Sequence, residues 1–552
     1  MSTGMEPSTE FNTLQNEPRK KRVHSIALAT FLMIVGLTLS KGTGFLRDAF
    51  LVQKFSQDYL RDAFYLGFTI PDLFYQLLVG GSIQAAITPT LARAFEKGEN
   101  KRGWRSVSIF VTLMTVVMMI AVLLGVLFSD SLIHAMASLG SVASNAISDP
   151  GKQEETIRIA VQSSKALFPQ VFFMMLAALC IGILNAHKKF ASTAFGPTIY
   201  NVCVVLSIVI LGANTPKSVV NASIGITAAA GMYFIFQFYM ARRELRNFRF
   251  SLRLKDEGFR ELLRLAIPTM ISASIVQINM IVLSSFALNF TRGAVSSLRQ
   301  ASTIWQLPYG IFAVAVGNVM LPSLAAHFAA KDEKSARNLL AGSLRNALFL
   351  TIPSAGILFS MRLDVVNGIL NWRGRLSEDS ARMTASILMC YCIAVIMHTI
   401  VFIYNQAFYA IGKTKVPLYN GLITLVANAL LCVVFINSNM GVMGLSLAYS
   451  LTSMMSAILL TCIYRRNKSL APTGISRFLV RAALCLGVLL LVVYTLSVFP
   501  VHPQSKIAQL LWLAFRSIAG IGGYLLAARA MKMIELQSFI DKIRRTKRDR
   551  TA

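Results

Sequence analysis

Long apolar runs separated by short polar loops make up most of the chain. A hydrocarbon core of ~30 Å asks for ~20 mostly apolar residues per helix, and about fourteen runs meet that length. They fall near residues 24–45, 63–92, 104–129, 160–186, 192–212, 218–241, 261–289, 296–325, 340–369, 381–411, 416–436, 440–463, 476–499 and 506–532. The pattern predicts an all-α polytopic membrane protein with about fourteen transmembrane helices. Gly and Pro inside several runs predict kinks rather than breaks, because neighbouring helices re-satisfy the freed backbone groups. No loop between the runs is long enough for a soluble domain.

The hairpin from Lys41 to Phe95 departs from this pattern. Lys41, Arg47, Asp48, Asp62 and Asp72 lie within or just beside its apolar runs. A charge at bilayer depth costs at least ~2.5–3.5 kcal/mol on insertion scales, so such residues face a polar cavity or a partner. A hairpin with five of them is expected to line a transport route rather than to anchor something.

A repeat sets the expected architecture. TPTLARAFEKGE from Thr88 matches LPSLAAHFAAKDE from Leu321, with Pro89, Leu91, Ala92 and Phe95 recurring as Pro322, Leu324, Ala325 and Phe328, 233 residues later. A weaker echo pairs NAHKKFASTAFGPTIYN from Asn185 with YAIGKTKVPLYN from Tyr409. Each copy of the first motif closes the second span of a group of six. Two pseudo-symmetric six-helix lobes in the same orientation follow, with substrate between them and alternating access by rocking. The expected division is an N-lobe at 24–241 (spans 1–6), a cytoplasmic inter-lobe linker at 242–260 and a C-lobe at 261–463 (spans 7–12). Residues 464–532 then hold two C-terminal helices, spans 13 and 14. Residues 1–23 and 533–552 read as basic cytoplasmic tails, the first disordered; the N-terminal apolar run is too long for a cleaved signal and reads as a signal-anchor helix.

Composition agrees: of 552 residues 55% are hydrophobic and 14% charged, which excludes a soluble domain of this length. The net charge of +29 invites a nucleic-acid reading, but its distribution defeats it. Most of the Lys and Arg sit in alternate loops: Arg93–Arg105, Lys188–Lys189, Arg242–Arg260, Lys331–Arg345, Lys413–Lys415 and Arg465–Arg477, with both tails. That is the positive-inside bias, placing both termini in the cytoplasm, and it supplies attraction to anionic membrane lipids. No aromatic stacking pattern accompanies the basic stretches, so no nucleic acid is expected. The seven cysteines all fall in apolar runs and read as packing residues.

No Walker A loop, nucleophile elbow or metal-spaced His/Cys cluster occurs, so neither enzyme chemistry nor a cofactor or metal is expected. Energy would then come from the membrane potential or a coupling ion.

The segments GFLRDAF…DAFYLGFTIPDLFYQLLVGGSIQAAITPTLA, ILNAHKKFASTAFGPTIYN, LPYGIFAVAVGNVMLPSLAAHFA and QAFYAIGKTKVP together resemble the MurJ/MviN family, the lipid II flippases of the multidrug/oligosaccharidyl-lipid/polysaccharide (MOP) exporter superfamily. The resemblance covers nearly the whole chain after residue 23. It implies a transporter in the bacterial cytoplasmic membrane that flips an undecaprenyl-pyrophosphate peptidoglycan precursor outward. It also implies a cationic inter-lobe cavity, cell-wall synthesis proteins as partners, and a groove along spans 13 and 14 for the polyprenyl tail. Arg47 and Asp48 match the family's RD pair, Asp62 its second-span aspartate, and Lys41 stands where an arginine is usual. Tyr75, Gln76 and Gly80 replace a second-span arginine pair and glutamate; Ser302 and Thr303 replace an eighth-span Asp-Arg, with Arg299 one turn earlier.

The expected substrate-binding set is therefore Lys41, Arg47, Asp48, Asp62 and Arg299, the cations gripping a lipid-linked anionic glycan and the acids moderating that grip. Plainer readings stand beside it: a structural Arg47–Asp48 ion pair at the helix end and Asp62 as N-cap of the second span. Asp72 fits either role. Gly42, Gly44, Gly80, Gly81, Gly310 and Gly317 are expected to permit close packing or hinging. Three functional classes stay open: a flippase for lipid II or another polyprenyl-linked glycan, a cation-coupled exporter of small molecules, and a transport-dead envelope scaffold.

Overall fold

The structure, a computed structural model, describes residue 36 and residues 39–537 except 80–81, 142–149, 188, 373, 439, 467–469 and 500–504. Gly80, Gly81 and the tail at 1–23 lie outside the described residues, as does most of the C-terminal tail. Among the described residues the secondary structure is helical throughout.

The N-terminal half holds α1 (residues 39–54), α2 (Asp58–Leu78), α3 (Ser82–Glu96), α4 (Asn100–Leu127), α5 (Ser129–Ser141), α6 (Pro150–Ala186), α7 (Phe190–Leu211) and α8 (Pro216–Ala241). The C-terminal half holds α9 (Glu257–Ala287), α10 (Ala294–Pro308), α11 (Val314–Ala329), α12 (Glu333–Ser360), α13 (Arg362–Leu370), α14 (Glu378–Ala410), α15 (Lys415–Ile436) and α16 (Val442–Arg465). Two further helices follow, α17 (Ile475–Val498) and α18 (Lys506–Ala530). Ten helical stretches among the described residues are long and apolar enough to cross a membrane, and a bent pair, α12 with α13, makes an eleventh. Three expected spans fall short of that test. α1 is described only in part, α2 carries Arg61, Asp62 and Asp72, and in α9 the apolar stretch counted among the described residues is only Gln277–Ala287. Adding them gives the fourteen expected from the apolar runs.

Helix starts are written locally. Thr215 and Ser218 form a capping box before α8, with Pro216 in its first turn. Asp256, Asp332, Ser377 and Ser505 each accept a backbone N–H from the first turn of α9, α12, α14 and α18. At Asp332, outside the spans, hydrogen bonds from the Ser335 side chain and backbone hold the carboxyl below its usual range. Prolines lie inside α2, α3, α6, α7, α10, α11 and α12 without ending them. After Pro308 the eighth span passes through one π-helical turn, Tyr309–Ala313, and continues as α11. The ninth span bends by 86° into α13, so the expected run at 340–369 is straight only to Ser360.

Packing reproduces the sequence repeat. In the first half α6 is central and packs on α8, α2, α3 and α4, while α7 packs on α8. In the second half α14 is central and packs on α16, α10, α11 and α12, while α15 packs on α16. The fourth and tenth spans thus hold equivalent places, as do the sixth and twelfth. α9 straddles the two halves: it packs along α2, α3, α4 and α5, and also on α15. Its contact to α15 includes a hydrogen bond between side-chain amides, Asn428 Nδ2 donating to Asn279 Oδ1 at 2.7 Å. The connection at 242–260 lies along α4, where Arg249 N and Ser251 N donate to the hydroxyls of Ser108 and Thr112. α17 and α18 pack on each other and on α12 and α13, with Arg516 on Asp364 at 2.8 Å.

The glycines expected to pack or bend divide accordingly. A Cβ at Gly317 would lie 2.6 Å from the Phe402 ring, whereas none would meet an atom within 4 Å at Gly42, Gly44 or Gly310. Gly317→Ala should therefore lower the thermal unfolding midpoint of the detergent-solubilised protein by the equivalent of ~1–3 kcal/mol of overpacking. Gly310→Ala, with open space and a gain in helix propensity, should leave the midpoint unchanged or slightly raised.

Candidate substrate site between the lobes

Two helices from different halves, α2 and α10, meet along the lobe boundary, and the ionisable residues of the hairpin are arranged around that meeting. α10 starts after Gly293, whose φ of +88° sets the turn and which has no side chain to cap the helix. The cap comes from the other half. Asp62 Oδ2 accepts from Gly293 N at 2.7 Å and Oδ1 from Ser296 N at 2.8 Å, a carboxylate on the positive end of a helix. Asp62 is 5% exposed. Both its oxygens are engaged by backbone, so the side chain holds the lobes together here instead of facing a cavity, and it caps the eighth span rather than its own.

Further contacts close the same end. Asp58 accepts from Ser380 Oγ at 2.9 Å, joining the start of α2 to the start of α14, and pairs with Arg61. Arg61 is fully buried and also donates to the carbonyls of Phe55 and Ser56, at 2.9 Å each. Arg292 stacks over the Tyr59 ring, 4.8 Å from its centroid. This end of the bundle, built from residues 55–62, 290–296 and 377–380, is sealed.

Deeper along α2 the seam changes character. Asp72 Oδ2 and Arg299 of α10 form an ion pair at 3.5 Å, the two side chains 18% and 29% exposed. On α1, Arg47 pairs with Asp48 at 2.8 Å, and the arginine is 31% exposed against 2% for the acid. Tyr65 lies within electrostatic reach of Arg47, Asp48, Arg61 and Arg299, and Tyr200 within reach of Arg47 and Asp72. Tyr200 is held by Gln170, hydroxyl to Oε1 at 3.3 Å. Two guanidiniums from different halves, each with a carboxylate and bordered by tyrosines, thus occupy the interior of the lobe boundary. Lys41, two turns before Arg47, is exposed and makes no ion pair among the described residues. No group of three or more His, Cys, Asp or Glu suited to a metal occurs among the described residues.

Of the five expected binding residues, the structure joins Arg47 to Asp48, brings Arg299 into the same region and puts Asp62 at the sealed end. The sequence left Asp72 open between a ligand and a structural role, and Tyr65, Tyr200 and the Asp58–Ser380 contact were not singled out. An acid on span 2 and a base on span 8, both deep in apolar runs, are a complementary pair, and that complementarity was the available signal.

Residues 51–514 match the family model described as the lipid II flippase MurJ. The chain belongs to that family. A lipid II flippase MurJ from Burkholderia cenocepacia is 27% identical over 465 residues, covering 83% of this chain and 88% of the relative. A probable lipid II flippase MurJ from Rhizobium tropici is 27% identical over 447 residues, covering 79% and 81%. Among solved structures, a lipid II flippase MurJ in an inward closed conformation superposes with a TM-score of 0.73 at 23% identity, over 91% of this chain and 98% of that one. An inward-facing multidrug transporter of the MATE family in the MOP superfamily gives 0.65 at 16% identity over 79% and 98%. The MurJ fold and a multi-pass membrane protein are thereby established for this chain; the residues at its lobe boundary carry the functional argument.

Removing the Asp62 carboxylate strands two N–H groups at a buried helix start. Asp62→Ala should cost ~1–3 kcal/mol, read as a lowered unfolding midpoint, with Asp62→Asn recovering part of the loss.

Proposed function

We propose that this protein flips lipid II, an undecaprenyl-pyrophosphate-linked peptidoglycan precursor, from the cytoplasmic to the outer leaflet of the bacterial cytoplasmic membrane by alternating access. The observation that carries the reading is the pair of partly exposed arginines, Arg47 and Arg299, carried by spans of the two different halves. A lipid pyrophosphate brings about two negative charges, and moving them through hydrocarbon unaided is prohibitive. Arginine forks on both sides of a cleft compensate that charge with paired hydrogen bonds. Asp48 and Asp72 keep the arginines neutralised when the cleft is empty, so the substrate exchanges one anion partner for another instead of meeting bare charge.

Sidedness follows from the loops. The sealed end lies opposite the basic loops Arg93–Arg105 and Lys331–Arg345, and the positive-inside bias assigns those loops and both termini to the cytoplasm. The seal is then external, and the partly exposed arginines lie on its cytoplasmic side, where the precursor is made. The polyprenyl tail would lie along α17 and α18, whose outward faces are apolar, and cell-wall synthesis proteins would take the product. The driving energy would come from the membrane potential, ~2.3 kcal/mol per charge per 100 mV, or from a coupling ion.

The test is rescue of a bacterium depleted of its own lipid II flippase, with membrane insertion confirmed. The wild type should restore growth, and Arg47→Ala should abolish or strongly reduce it. Failure by an inserted wild type would overturn lipid II as the cargo and favour another lipid-linked glycan, a direction to which Tyr75, Gln76, Ser302 and Thr303 already point.

A further inference from the structure

α2 is tied to α10 at two levels that differ in kind. At the sealed end the tie is Asp62 to backbone N–H groups, buried and beyond the reach of any cargo. Ten residues further along α2, nearly three turns, the tie is the Asp72–Arg299 ion pair, and both partners are partly exposed. Gln76 follows one turn on, and Arg47 lies within electrostatic reach of the Asp72 carboxylate. The closest approach is 3.5 Å, against 2.8 Å for Arg47 and Asp48, so the pair is loose, and Arg299 with its five guanidinium donors can also take another anion.

We propose that Asp72 is an internal stand-in for the substrate's pyrophosphate, a positioning residue that latches Arg299, and with it α10, to α2 while the cleft is empty. This inference rests on the flippase reading and adds to it the coupling between binding and opening. A pyrophosphate carries more charge than one carboxylate and offers the same bidentate geometry to a guanidinium, so it takes Arg299 from Asp72. The exchange undoes one of the two ties between α2 and α10. It also leaves the Asp72 carboxylate beside a polyanion, and their repulsion drives α2 from α10. Because the cargo interacts differently with the latched and unlatched states, its binding shifts the population toward outward opening, as any ligand-driven change requires. An empty carrier stays latched and does not cycle. An apolar or cationic cargo has no means of taking Arg299, so the latch also selects for anionic headgroups.

The test follows opening of the sealed end directly. Ala294, at the start of α10, is 1% exposed; Ala294→Cys is introduced with the exposed Cys462 replaced by Ser. The full chain is reconstituted in vesicles, and labelling by a membrane-impermeant maleimide from the external side is timed. Without substrate, Asp72→Asn should label roughly fivefold faster than the parent, the scale of one partly exposed ion pair, and Asp72→Glu should label like the parent. Undecaprenyl pyrophosphate should accelerate labelling of the parent and add little in Asp72→Asn. Arg299→Gln, which breaks the same pair from the other side, should also label faster without substrate and lose the response to undecaprenyl pyrophosphate. Unchanged substrate-free labelling in both folded variants would overturn the latch. Faster labelling in the variants with a parent that ignores undecaprenyl pyrophosphate would support the latch and overturn the pyrophosphate cargo.

Discussion

Charged groups inside a lipid-embedded bundle must be paired, capped onto backbone or wetted, and this constraint organises the boundary between the two halves. Asp62 is carried by one half and satisfied by the other, on the open start of α10. Because that start has no capping side chain of its own, neither half is complete at this point without its partner. Further inter-lobe contacts lie around that cap. Asp58 reaches Ser380 and Arg292 covers Tyr59. The boundary is thus firm at one end and, near Arg47, Asp72 and Arg299, accessible.

The two kinds of contact divide the labour that transport requires. Backbone groups at a helix terminus cannot be titrated or carried away, so the Asp62 cap sets a stable reference conformation. A side-chain ion pair such as Asp72–Arg299 costs little to break because both partners are partly exposed. Tyr75 and Gln76 on α2, and Ser302 and Thr303 on α10, stand where the family resemblance leads one to expect charge. Asp72 and Arg299 on the same two helices supply a compensated pair instead.

The repeat explains why so large a bundle is built from one plan. α6 and α14 occupy the centres of their halves and gather equivalent neighbours, as the recurrence of the Pro-Leu-Ala-Phe pattern predicts. α9 breaks the equivalence by lying against both halves. It follows the connection at 242–260, which is bound to α4 by Ser108 and Thr112 rather than hanging free. The start of the second half is therefore tethered to the first, which constrains how the halves move relative to one another.

Much of this was legible in the chain. Span number, the two-fold repeat, the sidedness of charge and the family all follow from periodicity and motif, because lipid imposes a length and an apolarity on every crossing segment. Arg47, Asp48 and Arg299 stood out for the same reason: ionisable groups at depth are conspicuous against an apolar background. What the sequence could not assign was partnership. Asp62 and Gly293 are separated by 231 residues, and nothing local says that the aspartate caps a helix in the other half instead of its own. Asp72 and Arg299 likewise became a pair only when α2 and α10 were brought side by side. Charge and apolar pattern are properties of the chain, whereas which charge neutralises which is set by packing between distant segments, and only the tertiary structure decided that.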